Sequence, residues 1–200
     1  MRSGDRPGQA TDVSEDLRPY RRPRRPYEMI RHADGLRALC TRLESAETIA
    51  LDVETCPETQ QLALIQVGLR DATYLIDVLG VGSLEALIPV MGPDGPVKLI
   101  HNARFERRVL GGVGVPVENI YDTMRTSQRR HGKIAGGHSL AAVCDRELGC
   151  RIDKSQQCSA WLTRPLSAAQ VVYAALDAEI LFDLHDALEV PLPEPEKDDS

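Results

Sequence analysis

The order of the apolar segments is the feature that most constrains the fold of this chain. Three β-rich runs come first, at residues 48–54, 62–69 and 73–78, and the short gap between the last two predicts a hairpin or meander. A fourth run at residues 97–100 begins an alternation of strands and helices. This order is typical of a mixed α/β domain, in which sites form at the carboxyl ends of strands.

Helical patterns surround these runs. We predict helices at residues 33–45, 83–90, 103–110 and 139–148, and a further helix opening at Asp122. Ser167 and Gln170 have capping-box spacing and open a long apolar helix over residues 171–188. One sheet flanked by helices would place this length of chain in a single domain.

The two ends differ in composition from the middle. Residues 1–26 contain seven Arg and four acidic residues without apolar periodicity, which predicts a disordered basic arm at residues 1–27. Such an arm is either a solvated terminus or a phosphate-binding segment. The acidic, proline-rich residues 191–200 predict a disordered tail, so the folded part of the chain is expected at residues 28–190.

Several function classes are disfavoured by composition. No apolar run approaches the length of about 18 residues that a membrane span requires, and the N-terminus lacks the apolar region of a signal peptide. The five Cys are an odd number without a CxxC pair, which predicts neither a zinc site nor a disulfide framework. We therefore expect a soluble, cytoplasmic protein without membrane partners.

Acidic residues stand where apolar segments end. Asp52 and Glu54 are two apart in a predicted strand, so both side chains leave the same face. Such a pair is often only a solvated strand end, and the alternative is a cation site. Asn102 and Glu106 are four apart at the start of a predicted helix, which places them on one face as well.

The final predicted helix places a phenol and an acid in apolar surroundings. Tyr173 and Asp177 are four apart, and an unpaired carboxylate would be costly there. Carboxylate oxygens suit Mg²⁺ or Mn²⁺, and the absence of a His or Cys cluster argues against zinc. Two such ions can activate a water and stabilise the leaving oxygen of a phosphodiester. The predicted metal ligands are Asp52, Glu54, Glu106 and Asp177.

The order of these residues has a family resemblance. Asp52-x-Glu54, His101-Asn102-x-x-Phe105-Glu106 and Tyr173-x-x-x-Asp177 resemble the three motifs of DEDDy 3′-5′ exonucleases, the RNase D-like branch of the ribonuclease H-like superfamily. Further similarity lies in Leu64-Ile65-Gln66, Asp122-Thr123, His138-Ser139-Leu140 and residues 153–166. The resemblance covers residues 33–189.

The resemblance implies a ribonuclease H-like mixed sheet and a metal-dependent 3′-5′ exonuclease that releases nucleoside 5′-monophosphates. Asp52 would bridge two ions, and Glu54 and Asp177 would hold the ion beside the attacking water. Tyr173 would orient that water by a hydrogen bond. The family has aspartate where this chain has Glu106, which keeps the charge and adds one methylene.

Five residues are candidates for substrate binding, and each has a structural alternative. Phe105 would stack on the terminal base or belong to the core, and Gln66 would touch substrate or pack within the sheet. His101 and Asn102 would contact substrate or stabilise the strand-to-helix turn, with Asn102 favoured as a local cap. Lys154, like Arg164 nearby, would contact phosphate or remain in solvent.

Three functional hypotheses stay open at this point. The first is an exonuclease acting on the 3′ ends of single-stranded RNA, because the chain resembles stand-alone members such as the nanoRNase type, which are often homo-oligomers. The second is a DNA exonuclease, since the second motif is also similar to that of DNA polymerase I. The third is a catalytically weak module that only binds nucleic acid.

Overall fold

A computed structural model describes residues 18–20 and 22–190. The strands are β1 (Arg18–Tyr20), β2 (Tyr27–Ile30), β3 (Thr48–Thr55), β4 (Leu62–Gly68), β5 (Thr73–Asp77), β6 (Val97–Ile100), β7 (Ile120–Asp122) and β8 (Cys150–Ile152). The helices are α1 (Ala33–Glu44), α2 (Val78–Val81), α3 (Ile88–Met91), α4 (Arg104–Gly112), α5 (Thr123–His131), α6 (Leu140–Leu148) and α7 (Ala168–Glu189). In this part of the chain, no helix is both long and apolar enough to cross a membrane.

The main sheet has six strands in the order β2-β5-β4-β3-β6-β7. β4 is antiparallel to both neighbours, and the remaining pairs are parallel, so five strands share one direction. The predicted hairpin of β4 and β5 and the predicted mixed α/β fold are therefore confirmed. The carboxyl ends of β3, β6 and β7 meet at one edge of the sheet.

The two faces of β3 pack against different helices. Ile49, Leu51 and Val53 belong to a core cluster that includes buried residues of α1. Ala50 instead packs with Ala178 and Phe182 of α7. Because side chains alternate along a strand, the face that carries Ala50 also carries Asp52 and Glu54.

Close packing brings α7 onto this face. A Cβ atom placed on Gly68 of β4 would lie 3.0 Å from the Ala50 Cβ and 3.5 Å from the Phe182 ring. The contact with Ala50 is tighter than most side chains tolerate, whereas the contact with α7 has an ordinary van der Waals length, so glycine at this position lets β4 lie close to β3. The capping box of Ser167 and Gln170 is present and defines where α7 begins.

The predicted helix at residues 83–90 is wrong as a single element. The chain forms a 3₁₀ turn at Glu85–Leu87 and then α3, which contains Pro89 in its first turn. Proline has no amide hydrogen to donate, so a continuous helix through this point would lose a hydrogen bond. The sequence pattern did not predict β1, β2, β8 or α2, each of which has only three or four residues.

Residues 18–20 and 22–27 of the predicted basic arm contact the rest of the chain, whereas residues 1–17, 21 and 191–200 lie outside the described residues. β1 pairs in parallel with β8. The Tyr20 hydroxyl donates to Glu179 Oε1 at 2.7 Å, and the backbone N–H groups of Arg24 and Arg25 donate to Oε2 at 3.0 and 3.1 Å. The division into an arm, a domain and a tail otherwise remains a prediction.

Glu179 is the anchor of this segment. It is 1% exposed, and although burial alone would raise its pKa, hydrogen bonds from Tyr20, Arg24 and Arg25 hold that pKa below its usual value. The carboxylate is therefore charged and bonded where it is buried. These bonds span about 155 residues of sequence, which hid them from local pattern reading.

We predict that Glu179→Ala lowers the free energy of unfolding by about 2–3 kcal/mol, since it leaves two backbone donors and a phenol without their acceptor. Urea unfolding measures the loss, and limited trypsin digestion should show faster cleavage after Arg24, since Arg22 and Arg25 precede proline and resist trypsin. Glu44→Ala, at the exposed end of α1, is the matched control. Equal stability and digestion of the two variants would contradict the anchoring role.

Candidate active site

A cleft of about 450 Å³ opens at the edge of the sheet where β3 and β6 end. Its walls come from these strand ends, the first turn of α4, the loop after β8 and one face of α7. All five predicted catalytic residues line it: Asp52, Glu54, Glu106, Tyr173 and Asp177. Elements separated by more than 100 residues thus deliver side chains to one cavity.

Three carboxylates converge in this cleft. Asp52, Glu54 and Asp177 each offer an oxygen, and these oxygens lie within 4.8 Å of one another. Glu54 is 8% exposed and Asp177 is 7% exposed, so little water screens their charges. The arrangement is unfavourable without a positive charge nearby.

The pKa values of these three carboxyl groups reflect their burial and their mutual repulsion. Burial raises the pKa of Asp52 to about 6, although a hydrogen bond from the Val53 backbone opposes it. Burial, with the charges of Asp52 and Asp177, raises the pKa of Glu54 to about 10. Burial and Asp52 likewise raise the pKa of Asp177 well above its usual value. Three oxygen donors that repel one another fit a hard divalent cation.

Glu106 supplies a fourth carboxylate on the other side of Asp52. It lies in the first turn of α4 and is 3% exposed, and its Oε2 atom has no hydrogen-bond partner among the described residues. Burial, followed by the charge of Asp52, raises its pKa to about 9. It stands outside the group of three within 4.8 Å. An orphaned buried oxygen at this position also fits a cation ligand.

Tyr173 lies one turn before Asp177 on α7, and both side chains line the cleft. Burial, together with the neighbouring acids, raises the pKa of Tyr173 above its usual value. The phenol therefore stays protonated near neutral pH. It remains a hydrogen-bond donor at the mouth of the carboxylate cluster.

The turn between β6 and α4 is held by Asp122. Asn102 has a left-handed backbone with φ of 68°, and the N–H groups of Asn102 and Ala103 donate to the Asp122 carboxylate at 3.1 Å each. The same carboxylate caps α5 through Met124 and Arg125. The predicted capping by the Asn102 side chain is wrong, because α4 has no side-chain cap.

His101 lines the cleft but is occupied by protein contacts. Its Nε2 donates to the His138 carbonyl at 3.0 Å, and its Nδ1 lies 2.9 Å from Thr123 Oγ1. Burial lowers the pKa of His101 to about 4, so the ring is neutral near pH 7. These contacts favour the structural alternative over substrate binding.

Phe105 lies between the core and the cleft. It lines the cleft, packs against the main core cluster, and has the Arg108 guanidinium 5.2 Å from its ring centre. Such a ring, fixed on one side by the core, is able to stack against a base on the other.

The substrate-binding role of Gln66 remains a prediction. The residue is 0% exposed and lies opposite Asp52 in the β3–β4 register, and its amide atoms have no hydrogen-bond partner among the described residues. This burial disfavours a direct contact with substrate. The structural alternative, a sheet residue whose amide group is fully hydrogen-bonded, also differs from the structure, because neither amide atom has a partner among the described residues.

Two basic predictions fall outside the cleft. Lys154 is exposed on the loop whose residues Gln157 and Cys158 line the cleft, and it is absent from the lining itself. Arg164 donates to both oxygens of Asp77 at 2.8 Å and to the Ala63 carbonyl at 3.0 Å. The phosphate-contact prediction for Arg164 is therefore wrong, because its guanidinium is committed to the fold.

Comparison with known proteins agrees with the fold and the cleft. A family model described as 3′-5′ exonuclease matches residues 27–193, and the chain belongs to this family. It is 32% identical to DNA polymerase I of Aquifex aeolicus over 160 residues, covering 79% of this chain and 26% of that protein. It is 30% identical to ribonuclease D of Escherichia coli over 162 residues, covering 79% and 43%. The chain thus spans less than half of these relatives.

Solved structures show the same architecture. The Nibbler EXO domain of Aedes aegypti superposes with a TM-score of 0.78 and 25% identity, over 84% of this chain and 90% of that one. RNase D of Escherichia coli superposes with a TM-score of 0.73 and 29% identity, over 81% and 44%. The predicted RNase D-like family and ribonuclease H-like fold are confirmed.

We predict that Mn²⁺ stabilises the wild-type protein and fails to stabilise Asp177→Asn. At 100 times its dissociation constant, one bound ion adds about 2.7 kcal/mol to the free energy of unfolding. The amide removes one ligand charge and also relieves repulsion in the metal-free cluster. Unfolding after EDTA treatment, with and without added MnCl₂, measures both effects.

Asp145→Asn is the matched control, since Asp145 is an exposed aspartate on α6. It should keep the full stabilisation by Mn²⁺. An Asp177→Asn protein that retains the wild-type stabilisation would exclude Asp177 from the metal site.

Proposed function

We propose that this chain is a two-metal-ion 3′-5′ exonuclease. It removes nucleotides from the 3′ ends of single-stranded nucleic acid, RNA in preference to DNA, and releases nucleoside 5′-monophosphates. The observation that carries the proposal is the cluster of Asp52, Glu54 and Asp177, with oxygens within 4.8 Å, in a chain of the 3′-5′ exonuclease family.

The electrostatic couplings support distinct roles for the carboxylates. The charge of Asp52 contributes to the raised pKa of Glu54, Asp177 and Glu106, which supports a role for Asp52 shared with each of these carboxylates. Asp52 would accordingly contact both ions, Glu54 and Asp177 one, and Glu106 the other. When bound, Mg²⁺ or Mn²⁺ would activate water and offset charge on the departing oxygen.

The remaining groups of the cleft would position reactants. The Tyr173 hydroxyl, protonated and one turn from Asp177, would orient the attacking water. Phe105 would stack on the terminal base. No covalent nucleophile or general acid is assigned, because His101, the one imidazole among the described cleft residues, is bonded through both ring nitrogens.

The preference for RNA rests on the relatives. RNase D of Escherichia coli is described as an exoribonuclease involved in structured RNA processing, and its structure superposes over 81% of this chain. The similarity to DNA polymerase I of Aquifex aeolicus makes DNA the second candidate substrate. A cytoplasmic location and a homo-oligomeric state belong to the same proposal, and light scattering tests the latter.

A specific observation supports a second candidate function. Glu106 replaces the family aspartate and stands outside the close carboxylate group. A site that binds its second metal ion weakly would still bind nucleic acid but would cleave it poorly. The second candidate function is therefore a nucleic-acid-binding module that uses the same cleft.

We predict metal-dependent shortening of 5′-labelled single-stranded RNA from its 3′ end. Asp52→Asn and Asp177→Asn should lose more activity than the roughly 10–100-fold typical of groups that only support a metal ligand. Tyr173→Phe should lower kcat more than it changes KM. Gel electrophoresis of RNA and DNA 12-mers in Mg²⁺, Mn²⁺ or EDTA measures these effects.

Asp145→Asn should behave as wild type in the same assay. A 3′-labelled strand should lose its label in the first step, and chromatography should identify nucleoside 5′-monophosphates. Absence of metal-dependent shortening on both RNA and DNA would refute the exonuclease and leave the binding module.

Glu106→Asp separates the two candidate functions. Removing one methylene withdraws the carboxylate by about 1.5 Å. If Glu106 holds its ion in the geometry of this chain, kcat should fall by roughly tenfold, and Glu106→Gln should fall further. A large gain of activity in Glu106→Asp would show that the natural site is impaired and favour the weak module.

A further inference from the structure

A second cavity, of about 650 Å³, lies beside the cleft and is lined by arginines. Arg104 and Arg107 come from α4, and Arg125 and Arg129 come from α5. Residues three or four apart share one face of a helix, so each helix presents a pair. We call this cavity the arginine groove, defined by these four residues.

The charges of the arginine groove contrast with those of the chain. The whole protein has a formal net charge of −6, yet four guanidinium groups meet only two acids in this lining, Glu118 and Asp122. The carboxylate of Asp122 already accepts hydrogen bonds from backbone N–H groups at the starts of α4 and α5. The groove is therefore locally positive.

The guanidinium groups are available to a ligand. Arg104 and Arg107 are exposed and form no ion pair with any residue in the described part of the chain. Arg129 donates only to the neutral Thr126 hydroxyl, and Arg125 lies 3.8 Å from Asp122 with 75% of its side chain exposed. Planar guanidinium groups of this kind bind phosphate oxygens in pairs.

The arginine groove continues the cleft at the start of α4. Asn102 lines the cleft and its neighbour Ala103 lines the groove. The loop after β3, which contributes Pro57 and Gln60 to the cleft, contains the exposed acid Glu58, and Arg108 donates a hydrogen bond to Gln60 at 3.1 Å. The arginine groove, with four arginines, therefore offers the more positive of these two exits to a strand whose 3′ end lies in the cleft.

We propose that the arginine groove binds the phosphates of the nucleotides that precede the reacting 3′ end. This inference rests on the proposed function for the direction of the strand. The groove would hold single-stranded nucleic acid through its backbone and without reading its bases. It would make the length of the strand, in addition to its terminus, a determinant of affinity.

The test measures binding in EDTA, so that it does not depend on cleavage. Fluorescence anisotropy with 5′-labelled single-stranded RNA of 3, 6 and 12 nucleotides compares wild type with the double variant Arg104→Gln/Arg107→Gln. We expect a roughly three- to tenfold weaker Kd for the 12-mer, with the ratio to wild type increasing with length. The salt dependence of log Kd should become shallower by about 1.4, because each phosphate contact to a single strand contributes about 0.7.

The matched control is Arg31→Gln/Arg37→Gln, which removes the same charge from exposed positions at and before α1. It should keep the wild-type affinity and salt slope, and thermal unfolding verifies that both double variants are folded. Equal Kd values and slopes for the two double variants would overturn the proposal. A loss of affinity for polyglutamate without a loss for RNA would also overturn it, since the groove would then be a protein-binding surface.

The outcome is independent of the exonuclease assay. A protein that cleaves RNA while the two double variants bind alike would keep the proposed function and lose the arginine groove. If the wild-type protein does not cleave RNA but its Arg104→Gln/Arg107→Gln variant binds RNA more weakly, the arginine groove is supported and the proposed exonuclease function is rejected.

Discussion

The packing of α7 against one face of β3 is the contact on which the rest of the structure depends. Ala50 of β3 packs against Ala178 and Phe182 of α7, and all three residues are buried. Asp52 and Glu54 follow Ala50 at every second position of β3, so they lie on the same face of the strand, and their carboxylates lie near that of Asp177. The apolar contact therefore imposes a carboxylate cluster that would not assemble by itself, because its members repel one another.

That cost explains several features around the cleft. The raised pKa values of Glu54, Glu106 and Asp177 share burial as their main cause and the charge of Asp52 as a contributor. Local departures from ideal structure are expected at functional sites, where stability is exchanged for chemistry. By contrast, Glu179 is buried on the same helix with its hydrogen bonds satisfied, and its pKa is held below the usual value. Asp177 and Glu179 are two residues apart on α7, about half a helical turn, so their side chains leave different sides of the helix. Asp177 belongs to the cleft, and Glu179 anchors Tyr20, Arg24 and Arg25.

The local pattern of the sequence was sufficient for the long elements. Strands β3 to β6, the capping box of α7 and the mixed α/β class followed from apolar periodicity and turn residues. Short elements were missed, because three or four residues carry too little periodicity to be read. The ordered contacts of residues 18–20 and 22–27 were missed for another reason, since their acceptor, Glu179, is about 155 residues away.

The sequence by itself determined which side chains were candidates for chemistry, since acids and a phenol at strand ends and in an apolar helix are unusual wherever they occur. Only the tertiary structure decided which of the remaining candidates are accessible. In the folded chain Gln66 is buried, Arg164 is paired with Asp77, and both ring nitrogens of His101 have hydrogen-bond partners. The fold also brings four arginines of α4 and α5 together in one groove. The physical reason is that exposure and pairing depend on contacts between distant segments, which no local pattern encodes.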